Sequence, residues 1–487
     1  MRKEAPRHVD ADEMARQATC ARAVTRRVQG QGFPASFAIV TYGCQMNAHD
    51  SEKLAGMLQQ MGLTPAERDE ADLVLYNTCC VRDNAQRRAL GNVTWLKELK
   101  KKRPQMLIAV CGCMVQQPGM AEQIIRRYPF VNLAFGTHNL HHLPELLLRA
   151  LSSDAQVVEV LTQEDAPIAE DVPLCRASPH HAYITVMYGC DNFCSYCIVP
   201  YVRGRERSRD PADILAEAQA LRKDGVQEIM LLGQNVNSYG NDLANPAANF
   251  PALLRALDDV GIPRIRFMTS HPKDLSDDLM ETMAAGRHIC HALHLPVQSG
   301  SDAVLASMGR GYTRAAYLER VAALRARIPD ICLTTDLIVA YPGESEEDFR
   351  DTLSLVAQVS YDAAYTFIYS PRDGTKAAQL PGRVDAATAT ARIEELIALQ
   401  RGITAARNTR LVGTVQQVLV EEASRRDAAQ VAGKTSGGLT VNFPGDAGLI
   451  GSIVPVRITS AAQITLRGVH ADEKTRPIQI ETGGEIR

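Results

Sequence analysis

The stretch VMYGCDNFCSYCIVPYVRGRERSR (186–209) decides the fold, because it brings Cys190, Cys194 and Cys197 within eight positions. It overlaps the end of a short apolar run, AYITVMYG (182–189), that is typical of a buried strand. Three thiolates can hold a four-iron cluster and leave one iron free for another ligand. The spacing therefore predicts such a cluster. Zinc is the alternative, with a histidine or a fourth cysteine, but zinc usually takes CxxC pairs and no second pair lies nearby.

Strand-like runs continue beyond this stretch and alternate with helical patterns as far as about residue 405. The six runs are AYITVMYG, EIMLLG, RIRFMT, HALHLPV, CLTTDLIVA and AAYTFIY. Six such units predict a partial (βα)6 barrel, in which the active site lies at the carboxyl ends of the strands. Polar or small residues follow several of these runs, among them Gln234, Ser270 and Gln298.

The N-terminal part, from Phe37 to about Leu148, has a βαβαβ order that predicts an open, largely parallel sheet. Three of its strand-like runs end in cysteine: first Cys44, then Cys79 or Cys80, then Cys111 or Cys113. Because ligands gather at the carboxyl ends of such strands, a second three-thiol site is predicted. Neighbours on a strand point to opposite faces, so Cys79 and Cys80 cannot share one site, whereas Cys111 and Cys113 could.

The chain is thus predicted to be a multidomain α/β protein. We expect a flexible extension (1–33), an N-terminal domain (34–154), a linker (155–175) with an edge strand near VVEVL, and a central domain (176–408). Short β-rich runs with Gly-rich turns follow, and they predict a small β-barrel (411–473) and a frayed tail (474–487).

Composition limits the possible partners and compartments. With 487 residues and 45% hydrophobic residues the chain can form ordinary cores, and no apolar run reaches the roughly 20 residues of a membrane helix. The N-terminus lacks the apolar segment of a secretory signal, and 12 cysteines in so long a chain indicate a reducing compartment, the cytoplasm. A net charge of −3 gives no global attraction to nucleic acid, so any RNA contact must be local.

Several motifs resemble, in the same order, those of the radical S-adenosylmethionine methylthiotransferase family. They are TYGCQMNAHDSEKLAGML, YNTCCVRDNAQ, GCMVQ, YGCDNFCSYCIVPYVRGRERSR, GQNVNSYG, TSHPKDL, HLPVQSGSD, GRGYTR, TTDLIVAYPGE and TFIYSPRDGT. The resemblance covers roughly residues 37–473. Within the family it is strongest to the branch that acts on isopentenylated adenosine in tRNA.

The resemblance implies two [4Fe–4S] clusters. The first is held by Cys190, Cys194 and Cys197, and its free iron binds S-adenosylmethionine. An auxiliary cluster is expected on the positions that match the family's N-terminal ligands, Cys44, Cys79 and Cys113. Cys80 and Cys111 are then interpreted as small buried hydrophobic residues.

The resemblance also implies an enzyme. A radical generated from S-adenosylmethionine takes the C2 hydrogen of the adenine, which no side-chain base could remove, so no catalytic acid or base is assigned. The auxiliary cluster supplies sulfur and a second S-adenosylmethionine supplies the methyl group. The expected partners are the tRNA anticodon stem-loop bearing isopentenyladenosine 3′ of the anticodon, a low-potential flavodoxin or ferredoxin, and proteins that supply sulfur or clusters. A membrane is not expected.

Other substrates and functions stay open. Within the family these are threonylcarbamoyladenosine in tRNA and an aspartate of a ribosomal protein. Outside it, the chain could be a non-catalytic iron–sulfur protein that binds RNA or senses redox state. The segment GKTSGGLTVNF (433–443) resembles the RNA-binding TRAM barrel but carries Lys434 as its one basic residue, so a weak RNA contact is expected there.

The pocket for S-adenosylmethionine is predicted from the barrel motifs. Its candidate residues are Arg203, Arg205, Gln234, Ser270, Gln298 and Asp336. The arginines belong to a run with a spacing of two, suited to a carboxylate or an RNA phosphate. The alternative is a solvated run before the helix at Pro211. Asp336 is either a pocket acid or a structural partner, and His271 either lines the pocket or orders its loop.

Overall fold

The structure, a computed structural model, describes residues 8–31, 33–80, 83–161, 167–424, 427 and 429–471. Three parts follow one another along the chain: an open parallel sheet with helices, a partial βα barrel, and a small closed β-barrel. The multidomain α/β architecture predicted from the sequence is confirmed. In the described residues, no helix combines the length and the apolar character that crossing a membrane requires.

The helices are α1 (Ala11–Gln31), α2 (Gln45–Gln60), α3 (Asp83–Lys102), α4 (Met120–Arg127), α5 (Leu143–Ser152), α6 (Val199–Arg203), α7 (Pro211–Lys223), α8 (Phe250–Val260), α9 (Asp277–Ala285), α10 (Asp302–Met308), α11 (Arg314–Arg327), α12 (Glu346–Val359) and α13 (Ala386–Thr409). The strands are β1 (Ser36–Thr41), β2 (Thr64–Pro65), β3 (Leu73–Thr78), β4 (Leu107–Gly112), β5 (Leu133–Phe135), β6 (Val157–Glu159), β7 (His181–Thr185), β8 (Met187–Tyr188), β9 (Arg207–Ser208), β10 (Glu228–Leu232), β11 (Arg264–Phe267), β12 (Ala292–His294), β13 (Cys332–Val339), β14 (Ala363–Ile368), β15 (Val415–Ala423), β16 (Gln430–Thr435), β17 (Thr440–Pro444), β18 (Ile453–Ala461) and β19 (Thr465–His470).

The N-terminal sheet has six strands in the order β2-β1-β3-β4-β5-β6, and its pairings are parallel. Strands β3 and β4 are buried along their whole length, as expected for a sheet with helices on both faces. The predicted edge strand near VVEVL is β6. The carboxyl ends of β1, β3 and β4 lie side by side and carry the N-terminal cysteines into one region.

The prediction of a flexible extension is wrong for the residues of α1. This helix packs on α5, and Val24 and Val28 are buried in the core of the N-terminal domain. Gln17 and Arg16 both bond the carboxylate of Glu145 on α5. The helix is ordered because its buried residues recur at helical spacing on one face, a pattern that the many charged residues between them conceal. Residues 1–7 and 32 lie outside the described residues.

The central domain contains the six predicted strands as two three-stranded parallel sheets, β11-β10-β7 and β12-β13-β14. A parallel bridge between Ile265 and Ile289, and a hydrogen bond from Ser270 N to His294 O (3.4 Å), connect the two halves. The outward-facing residues of the strands and the surrounding helices form one large core. The result is the partial barrel expected from the sequence.

Helix α2 covers part of the inner face of this barrel. Met46 packs against Met230 and Leu232, which point inward from β10, and its sulfur lies 3.6 Å from Thr185 Oγ1. The N-terminal domain therefore packs directly against the barrel interior. This packing places the N-terminal cysteines beside the central domain.

The last strands form a closed barrel in the order β15-β16-β17-β19-β18. Most of the segment proposed as an RNA contact forms the hairpin of β16 and β17, and the backbone of this hairpin meets the amino ends of the central strands. Arg264 donates to Lys434 O (2.9 Å) and Arg266 donates to Ser436 O (3.0 Å). At the same end, a Cβ on Gly437 would lie 3.1 Å from Cys332 Cβ. The hairpin turn therefore serves a contact between domains.

Candidate functional site

The first thiol set, Cys190, Cys194 and Cys197, lies in the loop that follows β8. Cys197 N donates to Cys194 O (2.9 Å), and Cys190 N donates to Gly204 O (3.1 Å), which fixes both ends of the loop. Burial raises the pKa of Cys190 to about 11 and that of Cys197 to about 12. Neighbouring thiols of the set contribute to both shifts, because one thiolate disfavours the next. Such crowded thiols lose their protons readily only to a metal.

Gly189 fixes the approach of this loop to the barrel. Its φ is +77°, and a Cβ at this position would lie 1.9 Å from Arg205 O. Its amide donates to Gln234 Oε1, so this predicted pocket residue holds the backbone just before Cys190. Only glycine fits here.

We expect Gly189→Ala to lower the free energy of unfolding of the metal-free protein by about 3 kcal/mol, because the backbone of residue 205 must move. Gly225→Ala is the matched control, since Gly225 also has a positive φ, +82°, but a Cβ there would have no neighbouring atom within 4 Å. Gly225→Ala should lower the free energy of unfolding by the backbone strain alone, roughly 1–2 kcal/mol. Chemical denaturation measures the free energy of unfolding of both variants. An equal loss of unfolding free energy in the two variants would contradict the close contact between a Cβ at residue 189 and Arg205 O.

A buried arginine donates to the first thiol set. Arg310 is 5% exposed, and its Nη1 lies 3.4 Å from Cys194 Sγ. Its Nη2 donates to Pro296 O (2.7 Å), which holds the guanidinium in place. The positive charge opposes the effect of burial on thiolates nearby.

The second thiol set combines Cys44, Cys79 and Cys113, which follow β1, β3 and β4. A Cβ on Gly43 would lie 2.6 Å from Cys79 Cβ, so a glycine before Cys44 lets the two chain segments approach. Burial raises the pKa of Cys113 to about 12, and both Cys79 and Cys44 add to the increase. The three predicted positions are therefore close together at the carboxyl edge of the N-terminal sheet.

Cys111 does not belong to this set, which corrects the expectation that Cys111 and Cys113 could share a face. Gly112 between them has a φ of +97°, so the strand's alternation ends there. Cys111 packs in the core on one side of the sheet, and Cys113 packs with Cys80 in the core on the other side. Burial raises the pKa of Cys80 and of Cys111 well above the usual range. Both are fully buried, as expected for small hydrophobic residues.

The spacing of the thiols does not suit a single metal ion. Across the described ranges, the groups of three ligands whose donor atoms all lie within 4.8 Å are Glu13–His141–His142 and His8–Glu170–Asp213, neither of which contains a thiol. Zinc–sulfur distances of about 2.3 Å would place the sulfurs of one site within roughly 4 Å of each other. A cluster, whose ligands bind different irons, accepts a wider spacing. The geometry favours clusters over zinc.

Buried polar groups gather toward the carboxyl ends of the central strands. Ser270 Oγ and His271 Nε2 are buried and have no hydrogen-bond partner among the described residues. Gln298, with a φ of +74°, donates its N–H to Asp336 O (2.9 Å), and Asp336 Oδ1 lies 3.5 Å from His294 Nε2. Buried polar atoms without partners are rare and indicate a polar ligand. Ser270 Oγ and His271 Nε2 are therefore both available to a polar ligand at this end of the barrel.

The two arginines predicted for this pocket lie elsewhere. Arg203 is directed to the second thiol set, where its Nε lies 3.2 Å from Cys113 Sγ. Arg205 is exposed, pairs with Asp191 (2.9 Å) and stacks over Phe193. The reason is Gly204, whose φ of +77° turns the chain between them and sends the two side chains in different directions.

Sequence reasoning did not single out four residues that the structure places at these sites: Asp50, Glu206, His294 and Arg310. Glu206 accepts from Asp191 N beside the loop of the first set, and burial raises the pKa of its carboxyl to about 7. His294 and Arg310 stand within the motifs HLPVQSGSD and GRGYTR. A polar residue within an apolar strand is the signal that could have identified His294. Asp50 carries no comparable signal, because helix α2 is rich in polar residues.

Comparison with known families divides the chain at similar positions. Residues 184–356 match the radical SAM superfamily, residues 36–136 match the Uncharacterized protein family UPF0004, and residues 409–470 match the TRAM domain. A solved radical S-adenosylmethionine methyltransferase from Kitasatospora setae, with cobalamin and a [4Fe-4S] cluster bound, has a TM-score of 0.51. The two chains are 15% identical, and the match covers 71% of this chain and 77% of the solved one. That likeness shows the fold alone.

Two curated relatives are much more similar in sequence, and both are named tRNA-2-methylthio-N(6)-dimethylallyladenosine synthase. The protein of Alkaliphilus oremlandii is 49% identical over 444 residues, which are 91% of this chain and 94% of the relative. The protein of Thermoanaerobacter sp. strain X514 is 46% identical over 463 residues, which are 95% and 98% of the two chains. The likeness extends through all three parts of the fold.

Proposed function

Since the chain belongs to the family of tRNA-2-methylthio-N(6)-dimethylallyladenosine synthases, we propose that it is a radical S-adenosylmethionine enzyme that adds a methylthio group to C2 of isopentenylated adenosine in tRNA. One observation carries this proposal: two three-thiol sets adjoin each other at the mouth of one barrel. Cys197 belongs to the first set, and six residues later Arg203 contacts Cys113 of the second. Because six residues of chain span at most roughly 20 Å, the backbone of Arg203, which contacts the second set, lies within that distance of the first.

Each thiol set would hold one [4Fe–4S] cluster. Cys190, Cys194 and Cys197 leave one iron free for S-adenosylmethionine, and Cys44, Cys79 and Cys113 hold the auxiliary cluster. When bound, these groups supply the radical that takes the C2 hydrogen, the sulfur, and the methyl group. Both donor sets fit a [4Fe–4S] cluster. The three thiols of each set are near enough to raise one another's pKa, but their sulfurs do not all lie within the spacing of a single-metal site.

The protein's own residues bind, orient and shield. Ser270, His271 and Gln298 offer polar groups to S-adenosylmethionine at the carboxyl ends of the strands. Gln234 fixes the backbone before Cys190. Met46 on α2 covers part of the inner face of the barrel with an apolar side chain, which limits the access of water there. A water-free interior protects a reactive radical from side reactions.

The substrate is the adenosine beside the anticodon, on its 3′ side, in tRNA. That base must leave the stack of the anticodon loop to reach the barrel mouth, at a cost of a few kcal/mol. The electron donor is a low-potential flavodoxin or ferredoxin, since plant-type ferredoxins reach roughly −400 mV and can reduce low-potential clusters. Sulfur and clusters come from supply proteins. Because tRNA and these proteins share the cytoplasm, the enzyme works in that compartment.

The test is expression of this gene in a bacterial strain that lacks its own methylthiolating enzyme. Mass spectrometry of tRNA nucleosides should show 2-methylthio-isopentenyladenosine restored, and Cys190→Ala, the matched inactive variant, should restore none. Restoration of methylthio-threonylcarbamoyladenosine, or of a methylthiolated ribosomal aspartate, would instead assign one of the other family substrates. Absence of all three products from a well-expressed, cluster-loaded protein would overturn the proposal.

A further inference from the structure

Arg203 is a buried arginine that joins the helix after the first thiol set to the second thiol set. It ends α6, the helix that follows the loop of the first set, and it is 4% exposed. Its Nε donates to Cys113 Sγ (3.2 Å), and its Nη2 donates to Asp50 Oδ2 (2.7 Å) and to Asn47 Oδ1 (2.9 Å). One guanidinium therefore meets a carboxylate, an amide and a thiol of the second set.

The partners of Arg203 are themselves held in place by the fold. Asn47 donates its Nδ2 to Tyr42 O (2.9 Å) and Thr78 O (3.0 Å), so its Oδ1 faces the arginine and the sulfur of Cys113, which lies 3.6 Å away. The side chain of Asp50 is 3% exposed, so its carboxylate pairs with Arg203 away from water. A guanidinium is planar, so two anchored donors determine the direction of the third. The direction of the Nε–H bond toward Cys113 is thus fixed by the contacts of the same guanidinium with Asp50 and Asn47.

An N–H that points at a metal-bound thiolate has a known physical effect. It withdraws electron density from the sulfur, and with the positive charge it favours the state that carries an additional electron. It also keeps the sulfur oriented toward the metal. Resting on the proposed function, we propose that Arg203 is a positioning residue of the auxiliary site, which orients Cys113 and raises the reduction potential of the cluster held there.

The first thiol set has a comparable donor in Arg310, which lies 3.4 Å from Cys194 Sγ. The two arginines provide a crossed comparison, because each donates to a cysteine of a different set. Arg203→Gln should affect the auxiliary cluster, and Arg310→Gln the other one. Arg255→Gln is the exposed control, since Arg255 pairs with Asp278 on helices away from both sets, and it should affect neither cluster.

The experiment uses the full chain with one cluster at a time. In the Cys190→Ala, Cys194→Ala, Cys197→Ala background, EPR-monitored redox titration follows the auxiliary cluster alone. We expect Arg203→Gln to shift its midpoint potential to more negative values and to speed the release of its iron to a chelator about 10-fold, the effect usual for a lost partner of a metal ligand. Arg203→Lys keeps the charge but not the geometry and should give an intermediate shift.

A purely structural role would lower stability without moving the potential. An unchanged midpoint potential in a fully loaded Arg203→Gln protein therefore overturns the role of Arg203. If that variant does not fold because Asp50 is left unpaired, Arg203→Gln combined with Asp50→Asn replaces both charges and takes the same test. Absence of iron from the parent background overturns the auxiliary cluster itself, and with it the proposed function, which separates the two failures.

Discussion

Replacement of Cys44, Cys79 and Cys113 together by alanine should abolish methylthiolation of tRNA but leave the reductive cleavage of S-adenosylmethionine. The variant removes the thiols that we assign to the sulfur-supplying cluster, whereas the loop of the first set remains intact. The loop depends on Gly189 and Gln234 rather than on the N-terminal cysteines. The expected loss of product is complete, because no other sulfur donor adjoins the pocket in the proposed mechanism.

Two quantities measure this result: 5′-deoxyadenosine formed after reduction, and 2-methylthio-isopentenyladenosine in digested tRNA. The matched control is Cys80→Ala with Cys111→Ala, which removes buried thiols from the same sheet. Truncation of two small buried side chains costs about 1–2 kcal/mol in total and should leave product formation in place. Methylthiolated product from the triple variant would show that the second thiol set does not supply the sulfur.

Glu344→Ala should lower the free energy of unfolding by about 3–5 kcal/mol, as expected when one partner of a buried ion pair is removed. Glu344 Oε2 lies 2.8 Å from Arg392 Nη1 and 2.7 Å from the amide of Ala340, a residue with a φ of +59°. The side chains of the pair are 0% and 7% exposed. Alanine would leave the N–H of Ala340 unsatisfied and would remove the nearer carboxylate of the buried guanidinium, whose remaining carboxylate partner is Glu346 at 3.4 Å. The TTDLIVAYPGE turn would thereby lose its anchor.

Urea denaturation, monitored by circular dichroism, measures this loss. Asp278→Ala is the control, because the Arg255–Asp278 pair has a similar distance, 2.7 Å, but both side chains are 52% exposed. An exposed pair contributes about 0–1 kcal/mol. A loss no larger for Glu344→Ala than for Asp278→Ala would mean that burial does not set the strength of the Glu344 pair.

The strand order could be predicted because buried parallel strands leave continuous apolar runs in the sequence. Helix α1 could not, because its buried residues are small or polar: Gln17 and Ala21 precede Val24 and Val28. Their spacing is helical, but charged residues dominate the segment, and the partner that makes the face apolar is α5, more than a hundred residues away. Tertiary contact, rather than local pattern, orders this helix.

The first thiol set could be predicted from its spacing, and the place of the second from strand ends with the family resemblance choosing its cysteines, but the positions of the arginines could not be predicted. A spacing of two suggests that Arg203 and Arg205 share a face, and it does so only for an extended chain. Here Arg203 ends a helix and Gly204 has a positive φ, so the pattern breaks between them. The same holds for Cys111 and Cys113, which Gly112 separates. Glycine conformation, which spacing does not reveal, decides both cases.

The contact between the C-terminal barrel and the amino ends of the central strands determines how far that barrel lies from the thiol sets. The thiols lie at the opposite ends of these strands, and β13 alone has eight residues, or roughly 25 Å. RNA that touched the C-terminal barrel would therefore lie about one strand length from the thiols. Short oligonucleotides that carry the correct base but no distal backbone would lack that contact.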